Sequence, residues 1–289
     1  MELVYVFGRL MFSLASTVYQ KKLAQHGLHP FYIVAATYFV LGILATPLLL
    51  FIDFSRLSVD FWFNVLLASL FDVAGWMFLV LSLSKTDLSV FGPLNAYKVV
   101  ASMLLAVLFL HEIPSAQGLS GVLLIIVGSV FLMPPTATTQ TNKIGGLLRD
   151  KGVQARFLSI FLFSVGTVFL KKSVAGGALE TTVFWSLIGL PLVLFSNYFF
   201  LPSSLTEQIK TTKQHLYSIA LVGAMVFAMQ YFTLLLLANM LVAYALALFQ
   251  LGMVLQVLIG YRVFNEKDIV RKLLASLVMM AGSLLVLVR

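Results

Sequence analysis

The chain of 289 residues is too apolar for a soluble domain. Hydrophobic residues make up 61% of it and charged residues 10%, with a mean hydropathy of +1.02, whereas soluble domains are about 25% charged. This composition predicts an integral membrane protein. The absence of cysteine excludes disulfides and thiolate metal sites. The net charge of +8 does not indicate a nucleic-acid partner, because the basic residues lie at segment ends, where they meet water and lipid headgroups.

Ten apolar segments have the length that a membrane crossing requires, which is about 20 residues for a helix. The predicted spans are 3–24, 31–52, 61–83, 88–110, 116–133, 156–174, 181–201, 215–237, 241–262 and 271–288. They must be helices, because backbone groups in hydrocarbon have no water to bind. The first segment lacks a basic leader and a cleavage site, so it is predicted to be a span rather than a signal peptide.

The two halves of the chain resemble each other in sequence. Thr-Val-Tyr-Gln-Lys-Lys at 17–22 recurs as Thr-Val-Phe-Leu-Lys-Lys at 167–172, and both lysine pairs are predicted to be interfacial. Three further residues recur 154 positions later: Glu112, Gly128 and Ser129 as Glu266, Gly282 and Ser283. We predict one repeat over 1–133, a polar linker over 134–155 and a second repeat over 156–289. An odd number of spans per repeat inverts the second copy, as in many secondary transporters.

These repeat endings resemble the EamA-like branch of the drug/metabolite transporter superfamily. In each half a glutamate follows the fourth segment, and a fifth segment that contains glycine comes next. The fifth segment of the first half contains Gly118, Gly121 and Gly128, and that of the second half contains Gly282. The resemblance implies an all-α membrane protein of ten transmembrane helices, built as two inverted five-helix repeats. It also implies a central cavity bounded by helices 1, 3, 4, 6, 8 and 9.

Three ionisable residues lie in the interior of predicted spans, away from their ends, where a charge costs at least about 2.5–3.5 kcal/mol. They are Arg9, Asp72 and Lys98. Each lies on one helix face with other polar or aromatic residues, because the spacings between them are three or four residues or sums of these. The candidate substrate-binding residues of the first half are Arg9, Ser13, Thr17, Asp72, Trp76, Asn95, Tyr97 and Lys98.

Two interpretations of these charges remain open. Asp72 and Lys98 either neutralise each other within the bundle or line a transport cavity. Arg9 either lines the cavity or extends to the nearer interface. The candidates of the second half are all neutral: Thr167, Gln230, Tyr231, Gln250 and Gln256. A glutamine in a membrane helix serves more often to bind a neighbouring helix than a ligand.

We predict a secondary transporter that moves a small polar or zwitterionic metabolite by alternating access, with amino acids as the leading class. No cofactor, metal or catalytic residue is predicted, since the four histidines have no HExxH-type spacing. The alternatives are an exporter of lipophilic or cationic drugs on the same fold, a membrane enzyme, and a non-transporting membrane protein. The expected partners are a small-molecule substrate and membrane lipid. Coupling to a proton or counter-substrate and assembly as a homodimer are left open.

The protein is expected in a cell membrane, with the bacterial inner membrane as the leading location. Of the 19 lysines and arginines, 13 lie on the side of the linker and four on the side of the termini. Because basic loops stay in the cytoplasm, the count places both termini outside. The family is usually drawn with both termini inside, so the charge count and the resemblance predict opposite orientations.

Overall fold

The computed structural model describes residues 2–101, 105, 115–132, 149–200, 208, 212–239, 245 and 248–287. Within them the structure is helical and contains no strand. Glu112 and most of the predicted linker lie outside these residues. The α-helices are α1 Glu2–Gln25, α2 Pro30–Ala45, α3 Val59–Lys85, α4 Leu88–Phe91, α5 Ala116–Val130, α6 Lys151–Ser173, α7 Ala178–Phe200, α8 Leu216–Asn239, α9 Leu251–Phe264 and α10 Ile269–Leu287. Four 3₁₀ segments accompany them, Thr46–Phe51, Phe54–Arg56, Pro93–Ala96 and Val174–Gly176.

Five helical stretches in the described part of the chain are long and apolar enough to cross a membrane. They are Pro30–Phe51, Val59–Lys85, Lys151–Gly176, Ala178–Phe200 and Leu216–Asn239. Two shorter apolar helices, Ala116–Ser129 and Leu251–Phe264, accompany them. The chain is thus a multi-pass, all-helical membrane protein. The total of ten crossings and the inverted symmetry stay predictions.

Helix α6 begins at Lys151, five residues before the predicted start of the sixth span. The cause is Asp150, whose carboxylate accepts a hydrogen bond from the backbone N–H of Val153 at 2.9 Å. Such a side chain satisfies one of the four N–H groups that the start of a helix leaves without a partner. The earlier start places Arg156 in the second turn of the helix, whereas the predicted span began at this residue.

Two predicted spans are broken rather than continuous. Helix α4 ends at Phe91, a 3₁₀ turn occupies Pro93–Ala96, and α-helix resumes over 97–101. In the span predicted over 241–262, Gln250 forms a turn immediately before α9. The repeat offset of 154 residues relates position 250 to position 96. The predicted repeat would therefore place the two breaks at corresponding positions.

The structure forms two compact units, each containing parts of both predicted repeats. The first comprises Met1–Ser84 and Val165–Val242, and the second comprises Lys85–Ser164 and Ala243–Arg289. The predicted repeats divide the chain at the linker, and not in the way that the two compact units do. The repeat and linker boundaries stay predictions.

In the first unit, α1 packs on α8, and α2 packs on α7 and α8. In the second, α5 packs on α10, and α9 packs on α10 and α4. The α5–α10 contact is close because Gly282 has no side chain, and a Cβ there would lie 2.7 Å from the backbone oxygen of Gly121. The glycines that mark the repeat endings thus serve helix packing in this unit.

The C-terminal end of α7 presents four exposed aromatic rings. They belong to Phe195, Tyr198, Phe199 and Phe200, each more than half exposed. Aromatic side chains are enriched where membrane helices meet the headgroup region. This end of α7 therefore has the composition of an interfacial anchor.

Candidate functional site

Asp72 is the buried acid of the first unit. It lies on α3 with 3% of its surface exposed. The indole Nε1–H of Trp185, on α7, donates a hydrogen bond to Asp72 Oδ2 at 2.9 Å. The ring of Tyr38 packs against Trp185 with centroids 5.3 Å apart. Asp72 is therefore held by a specific donor within an aromatic environment.

Helix α6 approaches the same carboxylate at Gly166. A Cβ built on Gly166 would overlap Asp72 Oδ1. The absence of a side chain at this position is therefore a condition for the observed placement of the carboxylate. Gly166 directly precedes the candidate Thr167, which is half-buried.

Trp185 was not among the residues predicted from sequence. Helix α7 carries no ionisable residue in its interior that would have marked this face. The available signal was a group of small hydroxyl residues close to Trp185 in the sequence. Thr181, Thr182 and Ser186 are all fully buried and bind backbone carbonyls of their own helix or its start.

The remaining candidates of the first unit differ in how far their side chains are buried. Trp76 is buried one turn after Asp72. Thr17 is also buried, but its hydroxyl donates to the backbone oxygen of Ser13 at 2.7 Å. Arg9 and Ser13 are half-buried.

Two glutamines of this unit have buried amide atoms with no hydrogen-bond partner in the described part of the chain. Gln230 on α8 is 5% exposed and lacks a partner for Nε2. Gln20 on α1 is fully buried, and both of its amide atoms lack one. Gln20 was not among the candidates predicted from sequence. Tyr231, next to Gln230, is half-buried.

Arg156 is a buried base of the second unit, and 4% of its surface is exposed. Its Nη2 donates to Asn95 Oδ1 at 3.1 Å, and its Nη1 donates to Ser159 Oγ at 3.3 Å. The guanidinium carbon lies 4.0 Å from the centroid of the Phe91 ring. The groups in contact with this cation are thus two neutral acceptors and an aromatic face.

Two predicted neighbours of Asn95 lie in the helical stretch that follows the 3₁₀ turn. Lys98 is half-buried and lies three residues after Asn95, which is part of the 3₁₀ turn. The hydroxyl of Tyr97 is 2.9 Å from Ser129 Oγ, and its ring contacts Phe157 with centroids 4.8 Å apart. Tyr97 therefore packs toward α5 and α6.

Gln250 forms the second helix break, directly before α9, and Gln256 lies on α9. Gln250 is fully buried, and neither of its amide atoms has a partner in the described residues. The side chain of Gln256 is half-buried and lies against Gly92. Interrupted helices at corresponding positions of two repeats often form the binding sites of secondary transporters.

The predicted residues divide between the two units. The first contains Arg9, Ser13, Thr17, Asp72, Trp76, Thr167, Gln230 and Tyr231, and the second contains Asn95, Tyr97, Lys98, Gln250 and Gln256. Since Asp72 and Lys98 belong to different units, their mutual neutralisation stays a prediction. Among the described residues, no three His, Asp or Glu side chains are grouped as a metal site would require.

Comparison with known proteins identifies the class. Residues 2–133 match the model of the EamA-like transporter family, part of the drug/metabolite transporter superfamily, and this confirms the predicted resemblance. The family indicates a membrane transporter of the drug/metabolite transporter type, and its members are transporters rather than enzymes.

Solved structures share the fold over nearly the whole chain. One crystal structure of a protein is 14% identical, with a TM-score of 0.65, over 98% of this chain and 95% of that chain. In all, 28 chains of solved structures are similar. Curated proteins give no significant match.

Proposed function

We propose that the protein is a secondary transporter of a small polar or zwitterionic organic metabolite, with amino acids as the leading class, and that it works by alternating access. The observation that carries this proposal is that each compact unit buries charged groups. The first unit buries the carboxylate of Asp72, and the second buries the guanidinium of Arg156. Buried charges in membrane proteins are costly and mark substrate or ion pathways.

The surroundings of the two charges also support a substrate. Asp72 lies beside the indole of Trp185, and an aromatic wall next to a carboxylate suits an organic ammonium group. Arg156 is held by Asn95 and Ser159, which are neutral, so its charge is available to an anionic group. Each unit thus offers surroundings suited to one kind of charged group.

The alternative of a cationic-drug exporter is favoured by the aromatic residues alone. Trp185, Trp76 and Tyr38 are all buried in the same unit as Asp72. Hydrophobic cations would use these rings and the carboxylate, and would gain nothing from Arg156 or Lys98. The two functions therefore differ in whether an acidic group on the substrate matters.

The test is counterflow transport in proteoliposomes with a panel of amino acids, amines and hydrophobic cations. Uptake of an amino acid that Asp72→Asn and Lys98→Ala each lower, with folded protein retained, would support the proposal. Uptake of hydrophobic cations alone would favour the drug exporter. Uptake of neither class would contradict transport of these substrates.

A further inference from the structure

We propose that Arg156 binds the carboxylate of the transported substrate. The proposal rests on the proposed function and deepens it, because it assigns one chemical group of the substrate to one residue. Residue 156 is the first position of the sixth predicted span, and Arg156 was not among the candidates predicted from sequence. Three observations in the second unit support its role: the absence of an acidic partner among the described residues, spare donor capacity and a fixed orientation of the guanidinium.

The first observation is the absence of a protein counter-ion. Every acidic side chain that the structure describes in this unit is engaged elsewhere. Asp87 pairs with Lys272, Asp268 pairs with Arg271, and Glu266 caps α4. Asp150 caps the start of α6 and is exposed. The cation of Arg156 is thus buried without a carboxylate partner in the described residues, and a buried charge is stable only when it is paired.

The second observation is that the guanidinium retains donor capacity. It carries five N–H groups in a planar fork that matches a carboxylate. Asn95 and Ser159 accept from Nη2 and Nη1, while the buried Nε has no partner in the described part of the chain. A purely structural arginine at this depth would be expected to satisfy Nε as well.

The third observation is the way in which the guanidinium is held in place. Phe91 stacks on one of its faces at 4.0 Å, and Asn95 and Ser159 lie in hydrogen-bonding reach of its end. The fork is therefore oriented before any ligand arrives, which lowers the entropic cost of binding.

The experiment compares matched ligands on matched variants. The purified protein is mixed with amino acids, with their amides, with the corresponding decarboxylated amines and with inorganic phosphate, and thermal stabilisation is measured. The variants are Arg156→Gln and Arg156→Lys, and the control is Arg149→Gln, which removes an exposed positive charge just before the same helix. Counterflow transport is measured on the same preparations.

The expected result is specific to the carboxylate. The wild-type protein should be stabilised by an amino acid and not by its amide, and Arg156→Gln should weaken binding of that acid at least about tenfold, the loss expected for a charge-assisted hydrogen bond. Arg156→Lys, which keeps the charge and loses the fork, should fold and bind the acid more weakly than wild type. Arg149→Gln should bind as wild type does.

Four outcomes would overturn the assignment. Equal binding of the acid by wild type and Arg156→Gln would make Arg156 a structural contact only. Full binding by Arg156→Lys would remove the argument from the fork. Equal stabilisation by inorganic phosphate would indicate a general anion site. Binding of amines and amides but no acid would refute the carboxylate.

The proposed function is judged separately by transport. If an acid binds in an Arg156-dependent manner and no panel compound is transported, the binding assignment stands and the transport proposal fails. If amines or cations are transported and no acid binds, transport stands and the assignment fails. If nothing binds and nothing is transported, both fail.

Discussion

The loop after α9 contains the contact whose removal we expect to be most costly. Glu266, 8% exposed, accepts hydrogen bonds from the backbone N–H of Leu88 at 2.7 Å, from the backbone N–H of Ser89 at 2.8 Å and from the Ser89 hydroxyl. It thereby caps the start of α4 from a segment 177 residues away. We predict that Glu266→Gln destabilises the protein.

The expected loss follows from these three bonds. The substitution removes the negative charge and turns one acceptor into an NH₂ group, so at least one donor at the start of α4 loses its acceptor. A buried donor without a partner costs about 1–3 kcal/mol, and the weakening of the remaining bonds adds to that. The free energy of unfolding should fall by about 1.5–3 kcal/mol, or about 3–12 °C in melting temperature if the size scaling of soluble proteins holds.

Thermal unfolding of the purified protein in detergent measures the effect, and Asp268→Asn is the control. Asp268 lies two residues further along the same loop and pairs with Arg271 at 3.0 Å, but it is half-exposed. A surface pair contributes only about 0–1 kcal/mol, and asparagine tolerates the positive φ of 61° at this position. Equal melting temperatures for the two variants would refute the argument that Glu266 caps α4.

Three further predictions concern other contacts. Trp185→Phe keeps the ring but leaves Asp72 without its indole donor, so the free energy of unfolding should fall by about 1–3 kcal/mol; an unchanged thermal melt would contradict this. Gly166→Ala should displace the Asp72 carboxylate and lower counterflow transport more than it lowers the yield of folded protein, and normal transport would show that the site tolerates the methyl group. Burial lowers the pKa of His29 from 6.5, so the unfolded chain takes up a proton first and stability should decrease as the pH falls below about 6.5. His29→Asn should reduce this pH dependence of the melting temperature, and identical profiles would refute it.

The helical class and most helix bounds could be predicted because they depend on apolar length alone. The segment predicted at 61–83 is α3 Val59–Lys85, and that at 181–201 is α7 Ala178–Phe200. The breaks at Gly92 and Gln250 could not be derived from the same criterion, since hydropathy does not change there. Gly92-Pro93 was a visible signal of a turn, but Gln250 has no such neighbour.

The site was predictable only where a charge lay in the middle of an apolar run. Asp72 was found in this way and is buried. Arg156 was missed because the capping role of Asp150 was not recognised, and the helix was begun at the arginine itself. Lys21 is 5% exposed, which its position near a helix end did not indicate.

The exposed rings at the end of α7 have a consequence for the bilayer that surrounds the protein. Helix α7 has 23 residues and is about 34 Å long, while the hydrocarbon of an average bilayer is about 30 Å thick. Exposed rings such as Phe195, Tyr198 and Phe199 favour a position at the headgroups. We therefore expect a thinner bilayer to require tilt of the helix or local thickening of the lipid, each at a cost in free energy. Transport rates should therefore vary with acyl-chain length, and uptake assays should match the lipid to the helix.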